Sequence, residues 1–211
     1  SGSYRSAKVA IKSNNDKIVR EVKISQLFVP SYTIETDKFS IDELAQTIKV
    51  NITANFKYEI YPEDEWVSSG GRETVTETEF IQKFDVTAFK EKKESRETTV
   101  EFYANVKLEE GVYDEIRKTI TITQNRTLYI PKDSLHLALG DSAVVEVTNT
   151  EKRDLVWSTS DEKEFTVDAK GMVKCVGNDG DGKATITVQS KDKKYSDEII
   201  AVAKKPVDLN D

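Results

Sequence analysis

Residues 5–26 read RSAKVAIKSNNDKIVREVKISQ and contain two runs in which apolar and polar residues alternate. The apolar positions are Ala7, Val9, Ile11, Ile18, Val22 and Ile24. A period of two places such side chains on one face of a β-strand, and SNND between the runs has the composition of a turn. The stretch therefore predicts a β-hairpin with one apolar face.

The same pattern returns later, which indicates an internal repeat. The run that begins at Arg5 matches the run that begins at Arg96, and the run that ends at Gln26 matches the one that ends at Gln124. Both copies read R-x-x-x-V-x-[I/F], a loop, and I-x-[R/K]-x-[V/I]-x-I-x-Q, with SNND as one loop and ANVKLEEGVYDE as the other. We predict that residues 32–125 form one complete domain and residues 1–31 the closing hairpin of a preceding, truncated copy.

An isolated two-stranded hairpin cannot bury its apolar face in water. The opening hairpin would therefore need a partner, either the next domain or a second molecule of the same chain that exchanges strands. The alternative is that residues 4–30 are integral strands of a larger first domain and that the repeat arose by chance.

The composition favours an all-β protein made of antiparallel sandwiches. Short alternating runs recur along the chain, and nine glycines and four prolines punctuate them. The hydrophobic fraction is 37%, and no apolar run is long enough for a membrane span. The net charge of −7, with no basic stripe, argues against a nucleic-acid partner. One cysteine, Cys175, excludes an internal disulfide.

In the first complete domain, alternation predicts strands over residues 47–54, 56–61, 80–89, 97–104 and 115–123. Ser40 and Glu43 fit a capping box, which predicts one short helical turn in IDELAQ. The stretch SSGGRETVTETE, residues 68–79, has the composition of a polar loop.

A second boundary is expected near Asn125, which places the next domain at residues 126–205 and a polar tail at 206–211. Its strands are expected in LHLAL, AVVEV, LVWSTS, FTVD, AKGMVKCV, KATITVQS and DEIIAVA. The alternation in LHLAL turns Leu135, Leu137 and Leu139 inward and places His136 on the polar face.

Residues 33–125 resemble the BACON domain of Bacteroidetes surface and secreted proteins. The matching features are NFKYEI, EWV with Trp66, Arg96 at the start of a strand, and the closing KTITITQ. Phe56 stands where that family usually has tryptophan. The resemblance implies an immunoglobulin-like sandwich of roughly ninety residues, the domain size typical of such folds.

Residues 126–204 resemble the bacterial immunoglobulin-like group 2 domain of adhesins such as intimin and invasin. The matching pieces are Leu139-Gly140-Asp141, VWSTSD, FTVDAKGMV and GKATITV, whereas the insertion NDGDG at 178–182 departs from the family pattern. The two resemblances imply tandem immunoglobulin-like β-sandwiches, with Trp157 in the second core.

The sequence argues against catalysis and a cofactor. His136 is the only histidine, so no catalytic triad can form around it. Cys175 alternates with Val173 and is expected to pack as a small buried hydrophobe. Asn178, Asp179 and Asp181 offer oxygen atoms to calcium, but the ligand set is incomplete and these residues also form ordinary turns. Whether Asp179 and Asp181 bind calcium stays open.

Aromatic rings stack on sugars, so we weighed a ligand site on the first complete domain. Phe56, Tyr58 and Ile60 share the core face of one strand, whereas Phe89 and Tyr103 are assigned to polar faces. The long polar segment YPEDEWVSSGGRETVTETE is the expected contact region, since such loops on rigid scaffolds often carry recognition. The candidate ligand-binding residues are Tyr61, Trp66, Arg72 and Tyr103, with a protein or a glycan as partner.

Two functional hypotheses follow. The first is a non-catalytic adhesion or spacer protein, exported to the cell surface as an outer-membrane lipoprotein or to the periplasm. The second is an accessory carbohydrate-binding protein of a polysaccharide-utilisation system. Asp133-Ser134-Leu135 and Asp141-Ser142-Ala143 resemble the O-glycosylation signal of Bacteroidetes, which favours export.

Overall fold

The computed structural model describes residues 4–14, 19–177 and 182–204, and all of its regular secondary structure is β, as predicted. The chain divides into two compact units. Unit 1 contains residues 1–41, 45–87 and 97–123, and unit 2 contains residues 42–44, 88–96 and 124–211. No helix among the described residues could cross a membrane.

Unit 1 contains a two-stranded sheet, β1-β2, and two four-stranded sheets with strand orders β4-β10-β9-β6 and β3-β5-β8-β7. The strands are β1 (Arg5–Lys12), β2 (Val19–Gln26), β3 (Tyr32–Ile34), β4 (Lys38–Ile41), β5 (Gln46–Ala54), β6 (Glu59–Pro62), β7 (Val67–Thr74), β8 (Glu79–Val86), β9 (Ser95–Glu109) and β10 (Val112–Asn125). The first residues of β9 and the last of β10 belong to unit 2.

The two four-stranded sheets share one hydrophobic core, as a sandwich requires. Along β5, each second side chain is buried, so the period of two decides which face points inward. The ring of Phe84 on β8 meets the ring of Phe102 on β9 edge to face, with centroids 6.0 Å apart. Phe56 and Tyr58 are buried in the same core, as their pattern predicted.

The opening hairpin forms as predicted, with Arg5 opposite Gln26 and Val9 opposite Val22. Its apolar side chains remain exposed, at 45% for Val9, 59% for Ile11 and 56% for Ile24. The hairpin is connected to the rest of unit 1 near its base. There the Phe28 backbone N–H donates to the Leu108 carbonyl at 3.1 Å, and Lys23 forms an ion pair with Glu110.

Three local predictions in this part of the chain are wrong. Glu43 and Leu44 form a bend instead of a helical turn, and Asp42 Oδ1 accepts a hydrogen bond from the Leu44 N–H at 3.1 Å. The segment ANVKLEEGVYDE is mostly strand, because β9 runs to Glu109 and β10 begins at Val112. The expected loop SSGGRETVTETE contains most of β7, whose register against β8 shifts between Ser69 and Arg72.

Unit 2 contains sheets with strand orders β11-β14, β12-β19-β18-β15 and β13-β17-β16. The strands are β11 (Leu128–Tyr129), β12 (Ser134–Leu137), β13 (Ser142–Val144), β14 (Thr148–Asn149), β15 (Leu155–Thr159), β16 (Phe165–Val167), β17 (Met172–Cys175), β18 (Lys183–Ser190) and β19 (Ser196–Ala203). The sequence predicted antiparallel pairing, but β12 pairs with β19 in parallel.

The core of unit 2 combines inward residues of these sheets, with Phe165, Ile186 and Val188 fully buried. Trp157 packs against this core, as predicted, and Gly171 lies beneath its ring with a φ of 78°. Leu139 is 54% exposed, which contradicts its predicted inward position. The chain has already left β12 at Leu137 and turns at Gly140, where φ is 88°.

Candidate functional site

Two of the four predicted ligand-binding residues lie on one exposed face of unit 1. Tyr61 on β6 pairs with Glu101 on β9, and Glu59 pairs with Tyr103. Directly paired residues of antiparallel strands point to the same side, as do residues two apart along a strand. Tyr61 and Tyr103 are therefore diagonal neighbours on the outer side of this sheet, and the Tyr61 side chain is 50% exposed.

Arg117 on β10 extends this surface. Its guanidinium lies 4.6 Å from the centre of the Tyr103 ring and donates hydrogen bonds of 2.9 and 3.0 Å to both carboxylate oxygens of Glu101. We call Glu59, Tyr61, Glu101, Tyr103 and Arg117 the tyrosine face. It combines an open aromatic ring with an ion pair in which one guanidinium nitrogen, Arg117 Nη1, donates to both carboxylate oxygens of Glu101.

The charges on the tyrosine face shift the pKa values of two of its members. The hydrogen bond that Tyr61 donates to the Glu59 carboxylate raises the pKa of Tyr61, and partial desolvation adds to this effect. The hydrogen-bonded carboxylate of Glu101 raises the pKa of Arg117. Both shifts reflect hydrogen bonds to carboxylates, which hold the Tyr61 hydroxyl and the Arg117 guanidinium on this face.

Trp66 and Arg72 are not part of the tyrosine face. Trp66 is partly buried and packs against the core of unit 1. The Arg72 guanidinium lies 4.9 Å from the centre of the Tyr58 ring and 5.3 Å from that of Phe80, so it covers the edge of that core. The structure therefore brings together Tyr61 and Tyr103 alone among the four predicted residues.

Phe89 was assigned to a polar face, and this assignment is wrong. Its side chain is 1% exposed, and it lies beyond the end of β8 at Val86, where strand alternation no longer applies. The guanidinium of Arg96 lies 4.9 Å from the centre of its ring. Arg96 also donates to Gln124 Oε1, from Nε at 2.9 Å and from Nη2 at 2.7 Å.

Unit 2 contains a buried charged group that the sequence did not reveal, formed by Glu43, Lys92, Arg126 and Asp197, which we call the Arg126 cluster. Arg126 Nη2 lies 3.4 Å from Asp197 Oδ2, and the two side chains are 3% and 9% exposed. Lys92 Nζ lies 3.1 Å from the same oxygen. The Ile130 backbone N–H also donates to it, at 2.6 Å.

Most other partners of the Arg126 cluster are backbone groups, and the Thr127 hydroxyl also donates to Glu43 Oε2, at 2.8 Å. Arg126 Nη1 donates to the carbonyls of Lys90 and Glu91 at 2.9 and 2.8 Å. Glu43 Oε2 accepts from the Thr127 N–H at 3.0 Å, and Oε1 accepts from the Leu128 N–H at 3.0 Å. Both carboxylates are satisfied within unit 2, which favours a structural role.

A cavity of about 400 Å³ adjoins this cluster. Tyr195 lines it and donates from its hydroxyl to Asp42 Oδ2 at 2.7 Å, and this hydrogen bond raises the pKa of Tyr195. The Arg153 guanidinium lies 3.8 Å from the centre of the Tyr195 ring. The cavity walls are thus held by polar contacts between side chains of the unit.

The other candidate residues belong to neither the tyrosine face nor the Arg126 cluster. Cys175 is fully buried, as predicted, and burial raises the pKa of its thiol. His136 is exposed, as predicted, with Nε2 3.2 Å from Ser134 Oγ. Asn178, Asp179 and Asp181 lie outside the described residues, and the described part of the chain contains no metal-binding group of acids, histidines or cysteines. Ser134 and Ser142 are exposed, and their glycosylation remains a prediction.

Solved structures with low sequence identity resemble the chain. Protocadherin gamma C5 EC1-3 is 8% identical, with a TM-score of 0.36, over 96% of this chain and 78% of that one. Invasin, a bacterial integrin-binding protein, is 12% identical, with a TM-score of 0.34, over 95% and 46%. A Bacteroides ovatus GH5 xyloglucanase in complex with a XXXG heptasaccharide is 19% identical, with a TM-score of 0.35, over 52% and 22%.

No curated protein sequence matches the chain significantly. The family model "Bacterial Ig-like domain (group 2)" matches residues 117–199. This match begins within β10 and ends within β19, so it extends further towards the N-terminus than the expected boundary near Asn125. Residues 117–199 are therefore similar to a bacterial Ig-like domain of group 2.

Proposed function

We propose that this chain is a non-catalytic adhesion or spacer segment of an exported bacterial protein, at the cell surface or in the periplasm. The observation that carries the proposal is the match of residues 117–199 to the group 2 model, because domains of this family usually occur in surface or exported proteins. The hydrogen bonds that satisfy the Glu43 and Asp197 carboxylates support a structural role for unit 2.

The location can be tested on cells of the bacterium that encodes the chain. Antibodies against residues 126–204 should label intact cells, or cells whose outer membrane alone has been opened. An inner-membrane protein and a cytoplasmic enzyme serve as controls for lysis. Labelling that requires rupture of the inner membrane would contradict export.

Adhesion and spacing are distinguished by a binding experiment. Beads coated with the chain should attach to host-cell or matrix proteins if the chain is itself adhesive. If it acts as a spacer, the beads should remain unattached, and a longer natural protein that includes the chain should lose binding reach when residues 32–204 are deleted. An unchanged reach together with no attachment would exclude both roles.

The tyrosine face favours a second candidate, an accessory carbohydrate-binding protein. Aromatic rings with neighbouring hydrogen-bonding groups commonly line sites for small ligands, and Tyr61 is half exposed beside the Arg117–Glu101 pair. Trp66 is a poor choice for mutation, because it packs against the core and its loss would disturb the fold.

A glycan array tests this candidate, followed by titration calorimetry with any glycan that binds. Tyr61→Ala and Tyr103→Ala should each weaken binding at least about tenfold, the loss expected when a stacked ring is removed. Tyr113→Ala is the matched control, because Tyr113 is also exposed on unit 1 but lies at the turn end of β10. No binding to any glycan, or equal losses in all three variants, would exclude the candidate.

A further inference from the structure

The β1-β2 hairpin has one apolar face and one charged face. Because Arg5 pairs with Gln26, the residues that alternate from this pair share a side: Arg5, Ala7, Val9, Ile11, Arg20, Val22, Ile24 and Gln26. The other side carries Lys8, Glu21 and Lys23. Val9, Ile11, Val22 and Ile24 are each exposed by 45% or more, although they form one continuous apolar surface.

The internal repeat shows how the same surface is covered elsewhere in the molecule. Val9 corresponds to Val100 and Ile11 to Phe102, and those two residues are 0% and 1% exposed. They are buried because the sheet β3-β5-β8-β7 packs against β9 and β10, as the contact between Phe84 and Phe102 shows. The two copies of the hairpin therefore differ in whether a second sheet covers the apolar face.

The polar ends of the two hairpins also correspond. Arg96 and Gln124 are hydrogen-bonded to each other, and Gln124 Nε2 donates to the Leu44 carbonyl at 3.2 Å. Their equivalents, Arg5 and Gln26, are directly paired across β1 and β2 but are exposed. The opening hairpin therefore carries the apolar and the polar groups that a covered copy uses.

We infer that the apolar face of β1-β2 binds a four-stranded antiparallel sheet of the β3-β5-β8-β7 type, supplied by polypeptide that precedes Arg5. In the covered copy, all four strands of that sheet come before β9 in the chain. The described residues contain two such hairpins and one such sheet, and β9-β10 already occupies it. A sheet in a second copy of this chain is occupied in the same way. The hairpin is the closing strand pair of a further sandwich.

A fusion tests this inference. Residues 32–95 are duplicated and joined ahead of Arg5, so that Arg5 takes the place of Arg96 behind a covering sheet. Ile24→Cys reports on the apolar face and Lys8→Cys on the charged face, both in a Cys175→Ala background. Thiol labelling of Ile24→Cys should slow at least about tenfold in the fusion, since local opening must precede reaction. Labelling of Lys8→Cys should stay unchanged.

Hydrogen exchange and the dependence of labelling on protein concentration test the same inference. Amide hydrogen exchange of β1 and β2 in the fusion without added cysteines should slow by a similar factor, and Val22→Asp should restore fast exchange. Equal rates for Ile24→Cys with and without the duplicated sheet would overturn the inference. Labelling of the unfused chain that slows with protein concentration, together with a dimer in light scattering, would overturn it in favour of a second copy.

Discussion

Arg126 and Asp197 form a buried ion pair in unit 2, with Nη2 and Oδ2 3.4 Å apart. Lys92 and the Ile130 N–H share the same carboxylate oxygen. Removal of Arg126 would take one of two cations from the buried Asp197 carboxylate and the donor from the Lys90 and Glu91 carbonyls, which is more costly than loss of an exposed pair. Arg126 is therefore a position where a substitution should destabilise unit 2.

Arg126→Met should lower the free energy of unfolding of unit 2 by about 3–5 kcal/mol. Urea denaturation followed by Trp157 fluorescence measures this, in a Trp66→Phe background that leaves one tryptophan. Lys132→Met is the matched control, because Lys132 Nζ lies 3.5 Å from Glu146 Oε2 in a solvent-exposed pair. Its effect should be under about 1 kcal/mol. Similar losses in both variants would contradict a buried role for Arg126.

Glu43→Gln tests the carboxylate that binds the N–H groups of Thr127 and Leu128. An amide has one acceptor oxygen where the carboxylate has two, so one buried donor loses its partner. The free energy of unfolding of unit 2 should fall by about 1–3 kcal/mol. Glu146→Gln, at an exposed position, should change it by less than about 0.5 kcal/mol. A loss of stability confined to unit 1 would contradict the role of Glu43 in stabilising unit 2.

Gly171→Ala and Gly140→Ala separate backbone strain from steric overlap. Both glycines have positive φ, 78° at Gly171 and 88° at Gly140. A Cβ added at Gly171 would lie 2.7 Å from Trp157 Cζ2, whereas a Cβ added at Gly140 would meet no described neighbour within 4 Å. Gly140→Ala should cost about 1–2 kcal/mol, and Gly171→Ala a further 1–3 kcal/mol or so from overpacking. Thermal unfolding of the two variants tests this order, and equal midpoints would contradict it.

The carboxyl group of Asp168 should contribute to the acid sensitivity of unit 2. Hydrogen bonds from the backbone N–H groups of Met172 and Lys170 lower the pKa of its carboxyl group below the ordinary 3.8. The stabilisation is complete above the unfolded pKa and is lost as the pH falls through the lower folded pKa. Asp168→Asn should therefore flatten the decline in urea midpoint as the pH falls to the ordinary pKa of 3.8 and below it. An identical decline in both proteins would rule out this contribution.

Val100→Ala and Val9→Ala compare equivalent positions of the repeat. Val100 is fully buried, so the loss of two methyl groups should destabilise unit 1 by about 2 kcal/mol. Val9 is 45% exposed, so the same change should cost less than about 0.5 kcal/mol. Trp66 fluorescence in a Trp157→Phe background follows unit 1. Comparable losses would mean that the hairpin face is already covered.

Strand alternation located most of the long strands, because burial on one face imposes a period of two along β5, β8, β18 and β19. It also located the opening hairpin, whose apolar face could be recognised without knowledge of its cover. The period of two does not apply beyond the end of β8, so the sequence pattern assigned Phe89 to the wrong environment. Glycine and polar residues gave β7 the composition of a loop, so this edge strand was not predicted. There the stem and guanidinium of Arg72 cover the core.

The functional groups were harder to predict because their partners are distant in sequence. Glu43 matched a local capping pattern, yet its carboxylate binds backbone groups more than eighty residues away. Tyr61 and Tyr103 were each recognised as candidates, but their proximity depends on the register of β6 against β9. No local pattern in the sequence specifies that register.

The parallel pairing of β12 with β19 has a mechanical consequence. Four residue pairs, from Ser134 opposite Ile200 to Leu137 opposite Ala203, join a strand near the start of unit 2 to the strand near its end. Tension applied through Lys132 and Lys204 pulls these strands lengthwise past each other. Their hydrogen bonds are then loaded in shear and must rupture together, whereas an antiparallel hairpin pulled from its open end would unzip one bond at a time.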